Sequence, residues 1–130
     1  MNKRGLHMAG ALGVALVSAL ALAGPAGAAH KNGVVEAGEF GLYYSPNRGG
    51  PVLDLYTDDD NFANDYFPGT STPANDNTAS YWNRDSFIWH VYTNAGYTGS
   101  HGCLDPGHIG NASTTFRNRI SSAQYLSTSC

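Results

Sequence analysis

The feature that most restricts this chain is a short string that occurs twice. Tyr92-Thr93-Asn94-Ala95-Gly96-Tyr97-Thr98-Gly99 places an aromatic, four residues, a second aromatic, one residue and a glycine in order. Tyr43-Tyr44-Ser45-Pro46-Asn47-Arg48-Gly49-Gly50 repeats the frame from Tyr43, with Arg48 where the second aromatic would be. A string of this kind lets a hairpin fold over onto its own sheet. The two rings pack together, and the glycine takes a backbone angle that a Cβ disfavours. Each string is followed by a polar segment ending in serine: Asn75-Asp76-Asn77-Thr78-Ala79-Ser80 in the first half, Arg117-Asn118-Arg119-Ile120-Ser121-Ser122 in the second. A serine there can bond the backbone of the folded hairpin. The repeat predicts one domain made of two similar halves.

The rest of the pattern agrees with β structure. Gly, Asn, Ser, Thr and Pro punctuate the chain every few residues, and between them lie short runs rich in Tyr, Phe, Val, Ile and Trp. Strands are expected at Glu39 to Tyr44, Val52 to Tyr56, Phe87 to Tyr92 and around Tyr125-Leu126. Such spacing predicts a sandwich or barrel. Thr57 to Gly69, with Asp58-Asp59-Asp60-Asn61, and Thr70 to Ala79 read as surface loops.

Lys3 and Arg4 precede an uncharged apolar run from Met8 to Ala23, then Pro25 and the small residues Ala26-Gly27-Ala28-Ala29. This is the pattern of a secretory signal, with cleavage expected near Ala29. The run falls short of the roughly 20 residues that a spanning helix needs. Residues 1–29 are therefore read as the signal and 30–130 as a single secreted domain, with motifs at about 39–82 and 87–126. All ten acidic residues fall after the signal, but only Lys31, Arg48, Arg84, Arg117 and Arg119 among the basic ones. That acidic balance argues against nucleic acid or an anionic membrane as partner. Cys103 and Cys130 are expected to form a disulfide, since export implies an oxidising compartment. The loop-entropy model gives it roughly 3.5 kcal/mol. The rival, a reactive free thiol, finds no basic or His neighbour beside Cys130.

The Tyr92/Tyr97/Gly99 string and the two segments shaped like Asn/Asp-Asn/Asp-x-x-Ser/Thr-Ser resemble the βγ-crystallin superfamily. Within it the chain is most similar to the exported bacterial proteins of peptidase inhibitor family I36, named for an inhibitor of metallopeptidases. The resemblance implies a Greek-key sandwich of two four-stranded antiparallel sheets. It also implies a calcium site shared between motifs, with the start of one signature and the fifth position of the other supplying oxygens. Asn75, Asp76, Asn77 and Ser121 keep such oxygens, whereas Arg117 and Ala79 do not. At most one weak calcium site follows, and no cofactor is required. The same residues also suit local turn and cap bonds.

If the chain is an inhibitor, its partner is a secreted metallopeptidase. The best-anchored loop is His101 to Gly107, held by the disulfide and stiffened by Pro106, with Leu104 for an apolar pocket and Asp105 for the catalytic zinc. Asp105-Pro106-Gly107 is equally ordinary turn chemistry. His30, His90, His101 and His108 lack the HExxH or paired CxxC spacing of zinc sites, and His90 is expected half-buried in its strand. Asp58-Asp59-Asp60-Asn61 lacks the spacing of an EF-hand and reads as a solvated loop. There is no G-x-S-x-G, and Asp54 and Asp85 show no sign of a cleft, so an enzyme is not expected. A monomeric secreted metallopeptidase inhibitor is the leading expectation. A calcium-binding extracellular structural protein and an antagonistic toxin are the alternatives.

Overall fold

A computed structural model describes residues 29–130. The expected signal therefore lies, apart from Ala29, outside the described residues. Among the described residues there are seven strands: β1 Phe40–Ser45, β2 Gly49–Leu55, β3 Ser80–Asn83, β4 Ile88–Asn94, β5 Thr98–Leu104, β6 Ile109–Asn111 and β7 Ser122–Leu126. They make two antiparallel sheets, with orders β2-β1-β3-β6 and β5-β4-β7. The all-β two-sheet arrangement is as expected. The second sheet has three strands, and beside β7 a single bridge from Asp59 to Ala123 takes the fourth place. The run of carboxylates around Asp59 has low strand preference, which limits that edge to one residue.

Each half lends a piece to the other's sheet. β6, from the second half, closes the first sheet against β3, and Asp59, from the first half, bridges to β7 of the second. Alternation along the strands puts Phe40 and Leu42 of β1, Leu53 and Leu55 of β2, Trp89 and Val91 of β4, and Ala123 and Tyr125 of β7 in the core. Phe40 and Trp89, which occupy equivalent places in the two halves, stack with centroids 5.0 Å apart.

The two frame strings form equivalent hairpins. Pairing in both slips at the same place, between Tyr43 and Ser45 and between Tyr92 and Asn94. Arg48 and Tyr97 share a left-handed backbone, with φ of 58° and 59°. Gly50 and Gly99 follow at φ of 71° and 89°, where a side chain is strained. The serine Oγ of each half then ties the hairpin down. Ser80 accepts from the Arg48 N–H and donates to the Ser45 carbonyl. Ser122 accepts from the Tyr97 N–H and donates to the Asn94 carbonyl. Tyr92 and Tyr97 meet edge to face at 5.7 Å. In the first half Arg48 instead lies 5.2 Å from the Trp82 ring, and Arg84 lies 4.9 Å from the same ring. A cation on an aromatic face replaces the missing ring pair.

The acidic loop is more firmly held than a solvated loop. Asp58 Oδ1 accepts from the Tyr125 N–H, and the Asp60 carbonyl accepts from Gly96. Lys31 bridges Asp59 and Asp65 at 2.8 and 2.9 Å. Phe62 and Phe67 are fully buried beneath it. Burial, followed by the charges of Asp58 to Asp60, pushes the Tyr97 hydroxyl up to about 12.

Candidate functional site

Three regions hold the candidate residues or gather reactive side chains: the paired signatures, the turn after β5, and the outer face of the second sheet.

The signatures lie across the two halves from one another. The Asp76 N–H donates to the Ile120 carbonyl, and the Asn118 N–H donates to the Thr78 carbonyl. Asp76 and Asn118 share a left-handed backbone, with φ of 59° and 57°. Ser121 Oγ donates to Asp76 Oδ1 at 3.0 Å, so two of the expected calcium residues meet although 45 positions separate them. Asn77 turns its amide to the Pro73 carbonyl at 2.8 Å, which is local capping, and Asn75 is half-buried. Two side-chain oxygens thus converge at one place. The complementary place has exposed Arg117 and buried Ala79, which offer none.

The expected inhibitory loop needs correction. His101, Gly102, Cys103 and Leu104 are not loop but the end of β5, paired with β4. Leu104 is 7% exposed and belongs to the core, so its side chain cannot enter a protease pocket. The projecting part is the turn Asp105–His108, closed by the His108 N–H on the Asp105 carbonyl, with Gly107 at φ 86°. Its four residues are exposed. Fully buried Asn83 holds it from below. The Asn83 amide donates to Leu104 O at 2.9 Å and Phe87 O at 3.0 Å. Its backbone accepts from Gly107 and donates to His108 O.

The outer face of the second sheet carries a group that linear spacing did not reveal. Cys103 and Cys130 form the disulfide, as expected. Pairing sets His90 of β4 opposite Cys103 of β5, and Tyr92 opposite His101. His90 is not half-buried: it is 2% exposed, covered by the C-terminal tail. His90 Nε2 lies 2.7 Å from the Thr128 carbonyl, and its Nδ1 lies 2.6 Å from His101 Nε2. A carbonyl only accepts, so Nε2 carries the proton of neutral His90 and Nδ1 is bare. The His101 ring stacks on Tyr92 at 4.6 Å. Partial burial, and then the neighbouring His90, hold the His101 imidazole below its ordinary value. The signal that would have found this cluster is strand register, since His90 and Cys103 meet only once the β4–β5 hairpin is aligned.

The matching face of the first sheet holds carboxylates. Glu36, Glu39 and Asp54 each bring an oxygen within 4.8 Å of the others. Asp54 is fully buried and accepts from the N–H groups of Asn32 and Gly33. Burial raises its carboxyl, and pushes Glu39 up to about 8. Asp85 is also buried, where it accepts from the Trp89 indole at 2.9 Å. Both aspartates have structural partners.

Comparison with known proteins agrees with this geometry. The sequence profile described as peptidase inhibitor family I36 matches residues 28–104. No curated protein matches the chain. Among solved structures, one described under the evolution of the eye lens βγ-crystallin domain fold is 20% identical, with TM-score 0.59, covering 81% of this chain and 95% of that one. A βγ-crystallin from Ciona intestinalis is 22% identical, with TM-score 0.55, covering 68% and 100%. A βγ-crystallin from an archaeon is 26% identical, with TM-score 0.54, covering 70% and 100%. The fold is that of the βγ-crystallins.

Proposed function

The chain belongs to peptidase inhibitor family I36, and on that premise we propose that it is a secreted, monomeric inhibitor directed at metallopeptidases, with no catalysis of its own. The observation that carries this reading is the family match over residues 28–104. The turn Asp105–His108 supports it as the contact. Its tip is exposed and its stem is fixed by Asn83 and the core residue Leu104. A loop already held in its bound shape loses little entropy on entering a cleft. Asp105 supplies a carboxylate oxygen, a ligand that zinc accepts in fourth place. The basic start and short apolar run of residues 1–29 support export.

The test is inhibition of a thermolysin-like metallopeptidase, with a serine protease as control. Inhibition of the former alone is expected, and Asp105→Ala weakens it at least ten-fold with the melting temperature unchanged. An unaltered inhibition constant removes this turn as the contact. Absence of metallopeptidase inhibition overturns the reading, and growth arrest of other cells by such a protein favours the toxin alternative.

A second reading, a single weak calcium site, is favoured by the Asp76–Ser121 contact across the motifs. Asn75 and Asn77 complete the candidate oxygens. Calorimetric titration is expected to show at most one equivalent bound, lost in Ser121→Ala. Two equal tight sites contradict it.

A further inference from the structure

We propose that, when the Cys103–Cys130 disulfide is reduced, His90, His101, Cys103 and Cys130 close around a single zinc-class divalent ion. The disulfide and the metal are then alternative occupants of one site, selected by thiol redox state. This does not depend on the inhibitor reading.

The four side chains are near enough together to close on one ion. One ligand atom from each of the four residues lies within 4.8 Å of the others. Cys103 Sγ is 3.3 Å from His90 Nδ1 and 3.8 Å from His101 Nε2, and Cys130 Sγ is 3.8 Å from His101 Nε2. Zinc bonds of about 2.3 Å to sulfur and about 2.05 Å to nitrogen put tetrahedral neighbours roughly 3.5 Å apart for nitrogen and sulfur. These three nitrogen–sulfur spacings are thus already near those of a metal site. Two spacings must grow. The histidine nitrogens must part from 2.6 Å to about 3.4 Å, and the sulfurs must open to about 3.8 Å. Cys130 lies on the exposed tail and His101 is exposed, so the moving groups are the two least packed.

The outer partners are those a metal-bound histidine uses. In neutral His90 the Nε2–H donates to the Thr128 carbonyl, so the bare nitrogen is Nδ1, which faces His101 and Cys103. Tyr92, stacked on His101, fixes the plane of the second imidazole. His101 need only move its ring proton to Nδ1, which is ordinary tautomerism in neutral imidazole.

The chemistry balances. An external dithiol reduces the disulfide by exchange, giving two cysteine thiols and one oxidised cyclic disulfide. Binding of the ion then displaces the two thiol protons, and each thiolate forms one bond to the metal. Reoxidation by a disulfide reverses both steps and expels the ion.

The experiment reduces the protein with a phosphine, removes the reagent under argon, and titrates with cobalt(II), then zinc(II). One equivalent of cobalt is expected, with the intense visible bands of tetrahedral sulfur–nitrogen coordination, displaced by one equivalent of zinc. The oxidised protein is expected to give no such spectrum. His101→Ala weakens cobalt binding at least ten-fold, while His108→Ala, on the exposed turn, leaves it unchanged. Failure of the reduced, folded protein to bind cobalt overturns the proposal, as does equal affinity in His101→Ala. If reduction unfolds the chain, recovery of its near-ultraviolet circular dichroism on adding zinc supports the site, and no recovery refutes it.

Discussion

The two halves share a backbone and differ in what they place on it. Frame position by frame position, Phe40 corresponds to Trp89, Gly41 to His90, Val52 to His101 and Asp54 to Cys103. A covering segment lies over each outer face. Over the first sheet, the N–H groups of Asn32 and Gly33 bind the Asp54 carboxylate. Over the second, the Thr128 carbonyl meets His90 and Cys130 joins Cys103. The same strand position thus latches its covering segment by a carboxylate hydrogen bond in one half and by a covalent bond in the other. The repeat dictates the hairpin path and the inward residues, because those must fit one shared core. The outward residues answer only to their own covering segment, and there the chemistries diverge.

That comparison can be broken most sharply at the core. Trp89→Ala and Phe40→Ala remove equivalent fully buried rings, each expected to cost about 3–5 kcal/mol. The tryptophan change should be the larger by roughly 1 kcal/mol, because it strands Asp85 without its indole donor. Urea unfolding measures both, and equal losses would deny Asp85 that role. Next come the tying serines. Ser80→Ala and Ser122→Ala each remove an Oγ that accepts one bond and donates another. Each is expected to cost about 1–3 kcal/mol, and unequal costs would mean that the halves are tied differently.

The outer faces are separated by pH. The Glu39 carboxyl, pushed up to about 8 chiefly by burial, holds its proton more tightly folded than unfolded. Between the ordinary carboxylate range and pH 8 the folded chain binds more protons, so its stability falls as pH rises. Glu39→Gln is expected to flatten that slope by an amount on the order of 1 kcal/mol, as read by melting temperature from pH 5 to 8. An unchanged slope would place the pH response elsewhere. Smallest is Arg48→Tyr, which restores the ring pair but gives up the contact with Trp82. The two terms are similar, so a change within about 1 kcal/mol is expected. A larger gain would show that the guanidinium is a poor substitute.

Much of this was legible in the residues. The aromatic–glycine frame gave both hairpins, the serines gave their ties, and the cysteine count gave the disulfide. β5 was not, because Thr98-Gly99-Ser100-His101-Gly102-Cys103-Leu104 has little strand preference of its own. It is a strand because β4 offers a ladder in fixed register. The same cause hid the burial of Leu104 and the meeting of His90 with Cys103. The contact of Ser121 with Asp76 depends on the folded pairing of the two signatures, which their linear spacing does not show. Of the outer-face cluster, His90, His101 and Cys103 share one hairpin and meet through its register, and Cys130 is brought to them by the tail.

The exchange of pieces between the halves has a consequence for a protein that meets proteases. The two halves are joined in sequence by the short link from Arg84 to Phe87, and Arg84 and Ser86 on it are exposed. A nick there would separate the halves in sequence but not in space. β6 would still be hydrogen-bonded beside β3, Asp59 beside Ala123, and Phe40 stacked on Trp89. Those contacts, not the link, are what would hold a chain cut there together.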